Sequence, residues 1–209
     1  METKDKKQHI LETAEELFAI KGYEASTVRD IADAAQVNLA MISYYFGSKE
    51  KLMLQLFHDR MKATKLRVES LVKNPDYAPF QKVEIMLDEY IKKVFNNQAF
   101  YRILLCEQVM KKNKEVIDLM KELKLSYALL FSDLIKEGQR KKVFKKNIDV
   151  VMALTIMTGT VTQLMINKEH YANFNALECA NEADIDTLLH QKVYNQLKEI
   201  FKTILGYES

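Results

Sequence analysis

Apolar residues recur at helical spacing along almost the whole chain, and the two prolines that would interrupt them, Pro75 and Pro79, stand together at one break. Ile10, Ala14, Leu17 and Phe18 fall at i, i+4, i+7 and i+8, which is one face of a helix. With only 5 Gly among 209 residues, turn formers are too sparse for a many-stranded sheet. Apolar residues make up 48% of the chain and charged residues 29%, a balance that buries a sizeable core. The reading is an all-α fold of about nine helices.

The breaks between helices are legible as caps. Lys21-Gly22 ends the first helix, with Gly22 in the position where a left-handed residue closes a helix. Thr27 and Asp30 have capping-box spacing at the start of a second helix, whose buried stripe is Val28, Ile31, Ala32 and Ala35. A tight break at Gln36-Val37 follows. Asn38 caps a third, very short helix that reaches Phe46. Gly47-Ser48 breaks the chain again, and Ser48 caps a long fourth helix with an incomplete box, because Lys51 stands where Glu or Gln would complete it. Met53, Leu56, Phe57, Met61, Thr64, Val68 and Leu71 keep that helix in register until Pro75 forbids its continuation. Four further helices are expected, through Val83–Val94, residues 100–110, Val116–Leu134 and Val150–Met165. Polar residues 169–184 read as a loop, and Leu188, Leu189, Val193, Leu197, Ile200, Phe201 and Ile204 form the last helix.

Several function classes find no support. The net charge is only +2, and Lys plus Arg nearly balance Asp plus Glu over residues 1–73. A phosphate-binding surface therefore has to come from segregating charge onto one face. Cys106 and Cys179 form no CxxC pair, so both read as spectators in a reducing cytoplasm. The N-terminus METKDKKQHI has no apolar stretch behind its charges, so no signal peptide is expected, and apolar runs are too short for a membrane span. His9, His58, His170 and His190 lack metal-ligand spacing, and no Ser/His/Asp set, phosphate loop or dinucleotide fingerprint is visible. No enzyme, cofactor or metal is expected.

Three short helices with a tight break between the second and third are the sequence form of a helix-turn-helix. If Ile42 and Phe46 face inward with Val37, then Leu39, Ala40, Met41, Ser43 and Tyr44 face outward. That outward set suits a DNA major groove, where apolar side chains meet thymine methyls and hydroxyls reach base edges. A small three-helix bundle with no DNA role satisfies the same pattern.

The segment TVRDIADAAQVNLAMISYYFGSKEKL, residues 27–52, resembles the signature of the TetR family of transcription regulators. Thr27, Arg29, Asp30, Ile31, Ala32, Ala35, Val37, Tyr45, Phe46, Lys49, Glu50 and Leu52 stand in matching places. KEGQRKKVFKKNIDVVMAL more weakly resembles the family's link into its dimerisation helices. The resemblance implies a DNA-binding domain over residues 1–48 and a helical ligand-binding and dimerisation domain over residues 49–209. It implies DNA contacts from Thr27, Asn38, Leu39, Ala40, Met41, Ser43, Tyr44, Tyr45 and Lys49, with Thr27, Tyr45 and Lys49 on phosphates. Thr27 and Lys49 also lie at helix N-termini, where free N–H groups favour an anion.

The chain departs from the pattern at three places. Gln36 replaces the usual turn glycine, at a steric cost if φ is positive there. Ala40 stands where glycine is common, and Ser43 where the first tyrosine is, so Tyr44 is the residue to take that role. Tyr90, Phe100, Tyr101, Met120, Tyr127 and Phe131 lie in the helices that form the ligand cavity in TetR-like proteins, and ordinary core is the competing reading for each. The implied protein is a cytoplasmic homodimer, paired through its last two helices, that represses transcription from a palindromic operator on double-stranded DNA. A small apolar or amphipathic ligand tilts the fourth helix and releases it. The alternative is a helical small-molecule or protein-binding module whose helix-turn-helix no longer reads DNA.

Overall fold

The computed structural model describes residues 3–175 and 182–208. Cys179, and residues 176–181 of the expected loop, lie outside them. Among the described residues ten helices form and no strand: α1 Thr3–Lys21, α2 Val28–Ala34, α3 Leu39–Phe46, α4 Lys49–Lys73, α5 Pro79–Asn96, α6 Gln98–Met110, α7 Lys114–Arg140, α8 Val150–Ile166, α9 Lys168–Phe174 and α10 Glu182–Leu205. No single helix among them is long and apolar enough to cross a membrane.

The caps expected from the sequence close these helices. Gly22 has φ +82° and donates its N–H to the Phe18 carbonyl. The Thr27–Asp30 box is complete in both directions. Asn38 Oδ1 accepts from Ala40 N–H at 2.8 Å, and Ser48 Oγ accepts from Lys51 N–H at 3.2 Å. Pro79 opens α5 at a first-turn position, where its missing N–H has no partner to lose. Residues 169–184 are not one loop. Seven of the residues from Lys168 onward form α9, and α10 already begins at Glu182. Only Lys168 and Ala172 of α9 are buried, one turn apart, too little apolar signal to show periodicity.

The chain divides into two compact units. The first comprises Met1–Thr64 with Ala99–Leu123. Its core combines Ile10, Ala14 and Phe18 of α1, Ile31 of α2, Ile42 of α3, Leu52, Met53 and Phe57 of α4, Phe100 of α6 and Val116 of α7. The rings of Phe57 and Phe100 lie 5.1 Å apart, which joins α4 to α6. Arg60 of α4 grips Glu15 of α1 through two nitrogens, at 2.7 and 2.8 Å, on one carboxylate oxygen. Burial pushes the Glu15 carboxyl up, and Arg60 only partly offsets that.

The second unit comprises Lys65–Gln98 with Lys124–Ser209. Here α5 packs chiefly on α10 and α8. Val83, Leu87, Ile91 and Val94 of α5 meet a layer built from Leu189, Val193, Leu197 and Phe201 of α10, and Phe201 lies 6.1 Å from the Phe131 ring of α7. Each fully buried side chain of this size contributes about 1.5–3 kcal/mol. Two buried lysines are tied in. Lys82 Nζ donates to the Val72 carbonyl and to Glu137, both at 2.8 Å. Lys168 Nζ donates to Gln98 and Asp186, both at 3.2 Å. A buried ammonium without such partners would be strongly destabilising.

Candidate nucleic-acid interface

The first three helices hold α3 by one face. Ile42 is 1% exposed and Phe46 7%. On the other side Asn38, Leu39, Ala40, Ser43 and Tyr44 are exposed, and Met41 and Tyr45 are half-buried. Tyr44 is 82% exposed, its ring standing edge-on to Tyr45 at 5.1 Å. A tyrosine so exposed on a helix of eight residues presents both an apolar ring and a hydroxyl to whatever meets that face.

The turn before α3 has a defined geometry. Val37 N–H bonds to the Ala32 carbonyl and Gln36 N–H to the Asp33 carbonyl, the paired pattern of a Schellman closure. Gln36 takes the left-handed position, with φ +54°. A side chain there strains the backbone by roughly 1–2 kcal/mol relative to glycine.

Thr27 and Lys49, both expected on phosphates, are engaged inside the protein. Thr27 is exposed, but its hydroxyl donates to Asp30 at 2.7 Å and accepts from Asp30 N–H at 3.0 Å. Hydrogen bonds from the Thr27 hydroxyl and N–H hold the Asp30 carboxyl below the usual range, so it stays ionised beside Lys21 at 3.8 Å. Lys49 Nζ donates to the Tyr23 carbonyl at 2.9 Å and the Ser26 carbonyl at 3.0 Å, and lies 4.1 Å from the centre of the Tyr23 ring. Two of its three ammonium hydrogens thus brace the α1–α2 turn against the start of α4. Burial pushes the Tyr23 hydroxyl far up, reinforced by the carboxylates of Glu50, Glu24 and Glu107, so that ring stays neutral beneath the ammonium.

Arg29 matches the family signature but is not among the DNA contacts expected from the sequence. It is exposed in the first turn of α2, two residues from Thr27, and has no carboxylate partner among the described residues. Its place near that helix N-terminus is the signal that finds it.

The six residues expected around a ligand do not fall in one unit. Phe100, Tyr101 and Met120 belong to the first and are 2%, 6% and 3% exposed. Tyr90, Tyr127 and Phe131 belong to the second, with the tyrosines half-buried and Phe131 in the core.

The family model for bacterial regulatory proteins of the tetR family matches residues 10–56, which run from α1 through the first turns of α4. The fatty acid metabolism regulator protein of Bacillus subtilis (strain 168) is 25% identical over 79% of this chain and 87% of its own length. A probable acrEF/envCD operon repressor of Escherichia coli (strain K12) is 24% identical over 77% of this chain and 74% of its own. Among solved structures, the transcriptional regulator FadR from Bacillus subtilis, in complex with stearoyl-CoA, has a TM-score of 0.68 at 21% identity, covering 96% of this chain and 99% of that one. The signature at residues 27–52, the closed helix-turn-helix around it and these likenesses agree: residues 10–56 match the DNA-binding segment of the TetR family of bacterial regulatory proteins, and the chain is similar to regulators of that family over most of its length.

Proposed function

We propose that this chain is a cytoplasmic homodimeric repressor that reads a palindromic DNA operator with α3 and leaves it when an amphipathic ligand binds. The observation that carries the reading is the two-sidedness of α3, anchored by Ile42 and Phe46 while Asn38, Leu39, Ala40, Ser43 and Tyr44 stand exposed. Residues 1–48 form the reading domain and residues 49–209 the ligand and dimer domain. Met41 adds to the base-facing set. Thr27, Tyr45, the third N–H of Lys49 and Arg29 face phosphates, which position the protein while base contacts specify the site. No catalytic role is assigned.

Pairing through α8 and α10 is supported by the surface of α8. That helix has no charged residue, yet Val151, Met152 and Ile166 are 65%, 56% and 54% exposed. A Cβ built on Gly159 meets nothing within 4 Å, leaving room for a partner helix to approach. Beside this face lies a hollow lined by Ile156 of α8 and by Gln196, Glu199, Ile200, Thr203 and Ile204 of α10. Apolar faces of this kind are normally covered.

The ligand is an apolar chain with a polar head. The support is the likeness to a fatty acid metabolism regulator and to a structure holding stearoyl-CoA, together with the aromatic side chains of Tyr90, Tyr127 and Phe131 in the second unit. The ligand must bind the two states unequally, and a coupling of about 1–3 kcal/mol changes operator affinity roughly 5–150-fold. Stearoyl-CoA titrated against the operator complex tests this. The expected result is release of DNA, with DNA weakening stearoyl-CoA binding by the same factor. Tight binding that leaves operator affinity unchanged would remove this ligand class from the account.

A further inference from the structure

The stretch Lys136–Asn147 carries Lys136, Arg140, Lys141, Lys142, Lys145 and Lys146 against one carboxylate, Glu137, in a chain whose net charge is +2. Glu137 is already engaged by Lys82 and Lys141. Arg140, Lys142 and Lys146 are exposed and have no carboxylate partner among the described residues.

This segment is held in place. Val143 N–H bonds to the Gly138 carbonyl and Lys142 N–H to the Gln139 carbonyl, a Schellman closure of α7 with Lys142 at φ +58°. Lys145 N–H donates to the Leu205 carbonyl at 2.8 Å, Lys145 Nζ to the Thr203 carbonyl at 3.3 Å, and the Gln139 side chain to the Lys145 carbonyl at 2.9 Å. Phe144, 6% exposed, lies so close on Gly138 that a Cβ there would come within 2.0 Å of its ring, and it meets the Tyr207 ring at 6.4 Å. Around this fixed loop lies a hollow of about 600 Å³, lined by Gln139, Lys142, Phe144, Lys145, Lys146 and Asn147.

We propose that this hollow binds a small, multiply phosphorylated anion, of the kind presented by a polyphosphate or a nucleoside triphosphate. One exposed ion pair contributes little, and salt screens charges beyond about 8 Å. A ligand held here therefore needs several charges within the width of the hollow. Concavity favours a compact anion over a duplex, and the amide groups of Gln139 and Asn147 add neutral hydrogen-bonding groups at the rim. The site is separate from DNA reading, and its test uses no operator.

The test is calorimetric titration of the full chain with tripolyphosphate and, separately, ATP, at low and raised KCl. Saturable binding at one site per chain is expected, weaker at raised salt, and reduced about ten-fold by the pair Lys142→Gln with Lys146→Gln, as expected for two exposed charge contacts. The pair Lys62→Gln with Lys192→Gln, exposed on other helices, removes the same charge and is expected to change affinity less than about two-fold. ATP binding as well as tripolyphosphate supports the site with a nucleotide as source. ATP failing where tripolyphosphate binds supports it with inorganic polyphosphate as source. Absence of saturable binding, or equal binding by wild type and the Lys142/Lys146 pair, would overturn the proposal. So would an operator-free DNA duplex that displaces tripolyphosphate and shows the same ten-fold loss in that pair.

Discussion

Gln36, Gly138, Lys49 and Glu137 carry separable predictions. Gln36 occupies a left-handed turn position, so Gln36→Gly relieves strain while adding unfolded-state entropy, for a net stabilisation of about 0.5–1 kcal/mol and a raised Tm. A lower Tm would mean that the glutamine side chain does more at that turn than its backbone costs. At Gly138 the sign reverses, because the Phe144 ring fills the space a methyl would take. Gly138→Ala overpacks this closure, and denaturant melts should show a loss of about 1–3 kcal/mol. Lys49→Ala removes two charge-assisted hydrogen bonds to the Tyr23 and Ser26 carbonyls and should destabilise by about 1–3 kcal/mol. An unchanged melt would show that the ammonium does not brace the turn. Burial alone would raise the Glu137 carboxyl, but hydrogen bonds from Lys141 and Lys82 outweigh it and hold it below its ordinary value of 4.5. The folded state therefore binds this proton less readily than the unfolded one. The stabilisation is fully present above the ordinary carboxylate range and is lost as pH falls through the folded value. The gap in Tm between wild type and Glu137→Gln should accordingly narrow from pH 7 toward pH 3.

At the scale of elements, the helices with caps and long apolar stripes were legible in the sequence, and the short polar one was not. Thr27, Asn38 and Gly22 marked α1, α2 and α3 because capping chemistry is local, resolved within three or four residues. The outward face of α3 was legible for the same reason, since burial of Ile42 and Phe46 leaves only one other side. α9 escaped because its buried residues are a lysine and an alanine, and the groups that make the lysine tolerable, Gln98 and Asp186, lie 70 and 18 positions away. Lys49 shows the same limit. Its partners are backbone carbonyls 26 and 23 residues earlier, which no side-chain pattern reports. For α8, the absence of charge together with an open Gly159 predicts a helix–helix contact across a dimer. Gly159→Leu should leave the fold of the single chain intact, since nothing crowds that position, and shift sedimentation toward monomer. A wild-type chain that sediments as a concentration-independent monomer would contradict pairing through this face.

For the whole molecule, the sequence contributes a weak net charge and a strongly patterned N-terminal third, so DNA affinity depends on a few placed cations and one exposed helix face. Tyr44→Ala is expected to change base preference and leave the salt dependence alone, because a base contact specifies without neutralising a phosphate. The most direct test is selection by the purified wild-type protein from a random pool of double-stranded DNA, followed by sequencing and titration of the enriched site across salt concentration. Operator reading by α3 predicts two inverted half-sites, bound with an affinity that falls steeply as salt rises. A pool that enriches no palindrome would contradict it, leaving a helical ligand- or protein-binding module whose α3 no longer reads DNA.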